Sequence, residues 1–160
     1  MSIDKKPAKK VAAKKVAKKV AAKKVSSKAV TAKKETAKTP KITDPTEFLA
    51  WAVAQGMFER KAQDIKILDM RNVRGASSDF FVISNADSDK QVEAIAHSVD
   101  EEVKKLTGET PWHREGLENN EWVLLDYFNV VAHIFQTEKR EFYAVEELWG
   151  DAINIEFVGK

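Results

Sequence analysis

The sequence predicts an α/β layer sandwich, a mixed β-sheet with helices packed on it, behind a basic N-terminal tail. Three observations lead there. Apolar spacing switches between helical and strand periods in the order helix, two strands, helix, three strands, helix. Residues Asp79 to Asn85 are almost continuously apolar, as in a strand covered on both faces. Glu121 to Phe135, EWVLLDYFNVVAHIF, reads as two apolar strands meeting at a tight turn.

The formal net charge of +2 conceals a division at Lys41. Residues 1–41 carry fifteen Lys against Asp4 and Glu35, a balance of +13; residues 42–160 carry 12 basic and 23 acidic side chains, a balance of −11. The expectation is a Lys/Ala-rich disordered tail over 1–41 and one folded domain over 42–160. Val11, Val16, Val20, Val25 and Val30 roughly follow one helical stripe, but repulsion among the lysines opposes folding without an anion. Such a tail serves attachment to RNA or DNA by counterion release, and equally a solubilising extension. Lacking Arg and aromatic residues, it makes only nonspecific nucleic-acid contacts. The absence of Cys removes disulfides, thiolate nucleophiles and cysteine metal sites. No apolar run approaches a membrane span and no signal-peptide pattern opens the chain, so a soluble cytoplasmic protein with no membrane partner is expected.

Within the domain, Thr46 to Lys61 reads as a helix with Phe48, Leu49, Ala52 and Met57 near one face and Gly56 as a weak point. Asp64 to Asp69 is a short strand, and residues 71–78, RNVRGASS, are a polar loop before the strand at Asp79 to Asn85. Ser88 starts a long helix to about Leu106, with Gln91 at capping-box spacing and a buried stripe of Val92, Ile95, Ala96, Val99 and Val103. Gly108 ends it, Trp112 to Glu115 is a third strand, and Glu118 to Asn120 is a turn.

In the hairpin, a turn at Phe128 and Asn129 sets Tyr127 opposite Val130 and Trp122 opposite Phe135. One face then collects Val123, Leu125, Tyr127, Val130, Ala132 and Ile134, a core face. The other carries Trp122, Leu124, Asp126, Val131, His133 and Phe135, which suits a second packing layer or a docking surface. Two-residue turns favour positive φ, which Phe tolerates poorly, so a wider turn is the competing arrangement. Thr137 caps a final helix to Trp149, stopped by Gly150, and Ala152 to Phe157 alternates weakly as a loose strand or tail. Trp51, Trp112 and Trp149 are assigned to core or domain-rim packing.

Two groupings invite a catalytic reading. Asp126 and His133 share a hairpin face at a diagonal position, but no Ser, Cys or Thr on those strands completes a nucleophile system, so a hydrogen-bonded pair is expected. His97 and His113 lie elsewhere, and no His spacing suits a metal. The loop Gly75-Ala76-Ser77-Ser78-Asp79 is similar to nucleotidyltransferases, in which a Gly-Ser loop cradles phosphate and an Asp-x-Asp strand holds divalent cations. Here Phe80 and Phe81 follow Asp79, so the second carboxylate is missing, and one carboxylate cannot hold two catalytic cations. No catalytic residue, metal or cofactor is expected. Local turn hydrogen bonding explains the same residues.

With loop and hairpin both in view, the chain resembles the ribosomal silencing factor family (RsfS, also called Iojap or YbeB) from about Thr46 to Trp149. The pieces are DIKILDMR at Asp64 to Arg71, SSDFFVIS at Ser77 to Ser84, SDKQVEAIA at Ser88 to Ala96 and REG at Arg114 to Gly116. They continue with WVLLDY at Trp122 to Tyr127, VVAHIF at Val130 to Phe135 and FYAVEELW at Phe142 to Trp149. Many members read SSRQV at Ser88 to Val92 and place Gly where this chain has Phe128; the basic tail lies outside the family pattern.

The resemblance implies a nucleotidyltransferase-like fold without its catalytic carboxylates, and a translation repressor that is not an enzyme. It implies binding to the large ribosomal subunit through the ribosomal protein numbered fourteen, which blocks association with the small subunit. Trp122 and Tyr127 match family contact positions, with Asp126 as a charge partner for Lys or Arg and Tyr143 as a further contact. The acidic domain suits such a basic partner, and the tail could touch ribosomal RNA beside it. Exposed sheet edges and the family's habit make a homodimer an open expectation. Two other functions stay open: remnant nucleotidyl transfer, and a nucleic-acid-binding architectural protein using the tail.

Overall fold

Asp44 sets the start of the first helix. Its Oδ1 accepts the Thr46 N–H at 2.9 Å and Pro45 occupies the first turn, so α1 runs Pro45–Glu59. The structure is a computed structural model that describes residues 41–159, and the expected tail falls, but for Lys41, outside them. The remaining elements are β1 (Gln63–Asp69), β2 (Phe80–Ala86), α2 (Asp89–Thr107), β3 (His113–Glu115), β4 (Trp122–Asp126), β5 (Val130–Gln136), α3 (Thr137–Tyr143), α4 (Val145–Leu148) and β6 (Ile153–Ile155).

The six strands form one mixed sheet in the order β3-β4-β5-β2-β1-β6. The β2–β5 pair is parallel and the other pairings are antiparallel. β2 is buried along its whole length, as its unbroken apolar run predicts. One face packs against α1 and α2 through Met57, Phe80, Ile95, Val99 and Ile134. The opposite face carries a second cluster, with Phe81, Ile83 and Phe135 under Val145 and Trp149.

Ser88 caps α2 as expected, its Oγ accepting the Gln91 N–H at 3.1 Å, and Gly108 closes the helix in the left-handed region at φ 78°. The capping box is only half made. The Gln91 amide points instead at the carbonyls of Arg60 and Lys61, both at 3.5 Å. Gly56 is no weak point: a Cβ there would lie 2.6 Å from Val99 Cα, and its carbonyl accepts the buried Ser98 hydroxyl at 2.7 Å. Glycine is what lets α1 and α2 cross so closely.

Two expectations need correction near the C-terminus. The final helix is broken in two at Ala144, whose φ of 45° is left-handed. Thr137 is not its cap; its hydroxyl donates to Asp87 Oδ1 at 2.8 Å and accepts from Asn85 Nδ2 at 2.9 Å, joining α3 to the end of β2. The loose strand is real but shorter, pairing antiparallel with β1 as β6. Trp149 packs in the second cluster and Trp51 stacks on Phe48, whereas Trp112 is exposed. Among the described residues, no helix is long and apolar enough to cross a membrane.

Candidate functional site

The β4–β5 hairpin adopts the two-residue turn. Tyr127 N–H donates to Val130 O at 2.8 Å, and Trp122 lies opposite Phe135. Phe128 takes the positive φ its side chain disfavours, 75°, so the wider turn is excluded. Face assignments follow the sequence reading, and alternation sends the two faces of the hairpin into the two clusters.

The second face is a slab of aromatic rings. Trp122 stacks on Phe135 with centroids 5.0 Å apart, and Tyr143 from α3 lies 4.8 Å above Trp122. Phe81 packs 4.7 Å from His133 and meets Trp149 edge-on at 5.9 Å. The Trp122 indole N–H donates to His133 Nδ1 at 3.1 Å, so His133 is neutral with its proton on Nε2. Burial alone pushes its pKa down to about 3. The expected Asp126–His133 pair does not form: Asp126 Oδ1 accepts the Phe128 N–H at 2.8 Å. Sequence alone could not rank that partner against His133, because both lie within reach of Asp126 in the hairpin register.

Four residues were expected at a partner contact, and the structure separates them. Trp122 is 2 % exposed beneath Tyr143, and Tyr127 is 3 % exposed in the cluster shared with α1 and α2. Both side chains are buried within this chain, and burial raises the Tyr127 phenol well above its ordinary pKa. Asp126 and Tyr143 are half-buried. Beside Tyr143, Phe142 is 77 % exposed and meets it edge-on at 5.1 Å, with Lys139 Nζ 6.0 Å over its ring. Phe142 is a surface aromatic beside Tyr143 that the sequence reading missed. Its place in the quoted FYAVEELW piece was the signal.

Arg140 fixes this helix. Its guanidinium is almost wholly buried and donates to Glu146 Oε1 at 2.6 Å, Asp64 O at 2.8 Å and Asn85 Oδ1 at 2.7 Å. Burial pushes the Glu146 carboxyl up, but hydrogen bonds from Arg140 and Lys66 outweigh it and hold the pKa below its usual value.

At the Gly-Ser loop, Asp79 N–H donates to Asn129 O at 2.8 Å and Asp79 O accepts Met70 N–H at 2.7 Å, which ties the loop to β5 and β1. Asp69, which pairs with Phe80 across β1 and β2, is engaged by Arg71 through Nε at 3.0 Å and Nη2 at 2.7 Å. Burial raises the Asp69 carboxyl, but those bonds outweigh it and lower the pKa overall. An Arg-clamped carboxylate is poorly placed to take a cation. Among the described residues, no group of three His, Cys, Asp or Glu side chains could hold a metal ion.

The family described as ribosomal silencing factor during starvation matches residues 43–159. A ribosomal silencing factor from Halalkalibacterium halodurans is 39% identical over 101 residues, covering 63% of this chain and 85% of that protein. A mouse protein named for mitochondrial assembly of the ribosomal large subunit is 31% identical over 74 residues, covering 45% of this chain and 32% of that protein. The crystal structure of a Chromobacterium violaceum protein superposes with a TM-score of 0.63 at 29% identity, covering 67% of this chain and 88% of that one.

Proposed function

The chain belongs to the ribosomal silencing factor family, and we propose that it represses translation by occupying the large ribosomal subunit at its protein numbered fourteen. Bound there, it blocks association with the small subunit. The observation that carries this reading is the aromatic slab that reaches the surface at Tyr143 and Phe142 on an acidic domain. Aromatic anchors with a charged surround are the usual build of a protein-docking surface, and a domain of −11 is drawn to a basic ribosomal protein.

In this arrangement Tyr143 and Phe142 touch the partner, and Asp126 offers a charge. Trp122 acts from below by setting the position of Tyr143, and Tyr127 holds the hairpin to the core. The role needs no reaction, in keeping with an Asp79 that lacks a second carboxylate and an Asp69 that Arg71 engages.

The test is a subunit-joining assay with purified small and large subunits. The full chain is expected to reduce joined ribosomes. A Phe142→Ala, Tyr143→Ala double variant should bind large subunits roughly 100-fold less tightly, as for truncated hot spots, measured below its own melting transition because Tyr143→Ala also uncovers Trp122. Subunit joining that proceeds unchanged with the full chain in excess would overturn the function. A double variant as active as the parent would overturn only the site.

A further inference from the structure

Between β1 and the break that separates α3 from α4 lies a pocket of about 480 Å³, a volume that suits a small molecule. Asn85 near the end of β2 and Thr137 just past the end of β5 line it, so it opens at the carboxyl ends of the parallel pair. Open α/β sheets hold ligands at that position. Two of its walls are non-glycine residues in the left-handed region, Asp64 at φ 48° and Ala144 at φ 45°. Asp64 also sits where the β1–β2 register shifts, and such irregularities gather beside binding sites.

One buried group in this pocket lacks an acceptor. The Arg140 side chain is 9 % exposed, and its Nε and Nη1 are taken by Glu146, the Asp64 carbonyl and Asn85. Nη2 makes no hydrogen bond among the described residues; Asp64 Oδ2 stands 3.4 Å away, at ion-pair distance but without hydrogen-bond geometry. A guanidinium this deeply buried ordinarily has its N–H groups satisfied. The remaining charge has the opposite demand. Asp64, Glu141, Glu146 and Glu147 line the pocket against Arg140 alone. Lys66 shares Glu146, at 3.1 Å, so two cations answer four carboxylates. Glu141 and Glu147 are exposed, as is the Asp64 side chain at 63 %.

We infer that this pocket binds a free amino acid with a basic side chain, its carboxylate on Arg140 Nη2 and its two cationic groups among Asp64, Glu141 and Glu147. A simple anion would meet four carboxylates, and a simple diamine would leave Nη2 unserved. A basic amino acid answers both demands with one molecule. Its carboxylate takes the place of Asp64 beside the guanidinium, a group whose planar fork matches carboxylates. Asp64 then turns to the incoming ammonium.

The probes are L-lysine, cadaverine, which is lysine without its carboxylate, and L-norleucine, which lacks the side-chain ammonium. Each is titrated calorimetrically into the full chain and into a Glu141→Gln, Glu147→Gln double variant. Both glutamates are exposed, so the variant should melt with the parent, which thermal melts check. L-Lysine is expected to bind the full chain about tenfold more tightly than either of the other probes, the worth of one charged hydrogen bond or ion pair. The double variant should lose about tenfold in L-lysine affinity. Cadaverine carries the greater positive charge, so its binding as tightly as L-lysine would reduce the pocket to a general cation sink and overturn the assignment. L-Norleucine binding as tightly as L-lysine, an unchanged L-lysine affinity in the double variant, or no L-lysine binding at all would each overturn it too.

Discussion

His133 is neutral because of where its two nitrogens point. Nδ1 accepts the Trp122 indole N–H at 3.1 Å, while Nε2 is buried with no hydrogen-bond partner among the described residues. Protonation would break the first contact and bury a cation, so the folded chain resists it until about pH 3, against 6.5 for the unconstrained side chain. The depressed pKa means that the unfolded state binds the extra proton first. The stabilising contribution is therefore complete above pH 6.5 and declines as pH falls toward 3. The expected slope is about 1.4 kcal/mol per pH unit once below the unfolded pKa. Urea melts between about pH 7 and about pH 5, above the range in which carboxylates titrate, should show this decline. His133→Gln keeps an acceptor for Trp122 without the titration and should flatten it; a parallel decline in the variant would assign the effect elsewhere.

At the scale of elements, α3 and α4 are short pieces that their own hydrogen bonds could not sustain. Arg140 staples them: one guanidinium joins α4 through Glu146, β1 through the Asp64 carbonyl and β2 through Asn85. Arg140→Ala leaves Asn85 Oδ1 and Glu146 short of a partner and should cost about 3 kcal/mol. It should also weaken large-subunit binding under conditions where the variant remains folded, because Tyr143 rides on α3. Normal binding by a destabilised but folded variant would separate the staple from the docking surface. This staple was not legible in the sequence, and the reason is physical. Arg140 looks like any helix-surface cation, and its partners come from residues 64, 85 and 146, which only the sheet order brings together. The same limit hid the break at Ala144, since nothing about an alanine announces a left-handed backbone. By contrast, α2 with its Ser88 cap and apolar stripe, and the hairpin with its two faces, follow from local periodicity and read directly. Of the candidate site, the residues were found but not their depth. Alternation tells which face a side chain takes, and cannot tell that Tyr143 would cover Trp122.

The whole chain is an electrostatic dipole in sequence, +13 over residues 1–41 and −11 over 42–160. A single net charge of +2 would predict weak attraction to anything; the separated charges predict attraction to two different partners at once. On the proposed function, a basic ribosomal protein would draw the domain and ribosomal RNA beside it would draw the tail, two contacts that would strengthen each other through effective concentration. Only the tail's contact releases counterions from a polyanion, so the two respond to salt differently. Deleting Met1 to Thr39 removes all but one of the tail lysines and leaves the start of α1 intact. The shortened chain should bind large subunits more weakly at low salt and show a flatter dependence of log affinity on log salt. At high salt the two chains should converge, because screening removes the same term that deletion does. Sedimentation of large subunits with each chain over a salt series checks this, and an unchanged slope would sink the RNA contact. A slope that flattens while the Phe142→Ala, Tyr143→Ala variant loses affinity equally at all salts would assign the two terms to the two ends of the chain.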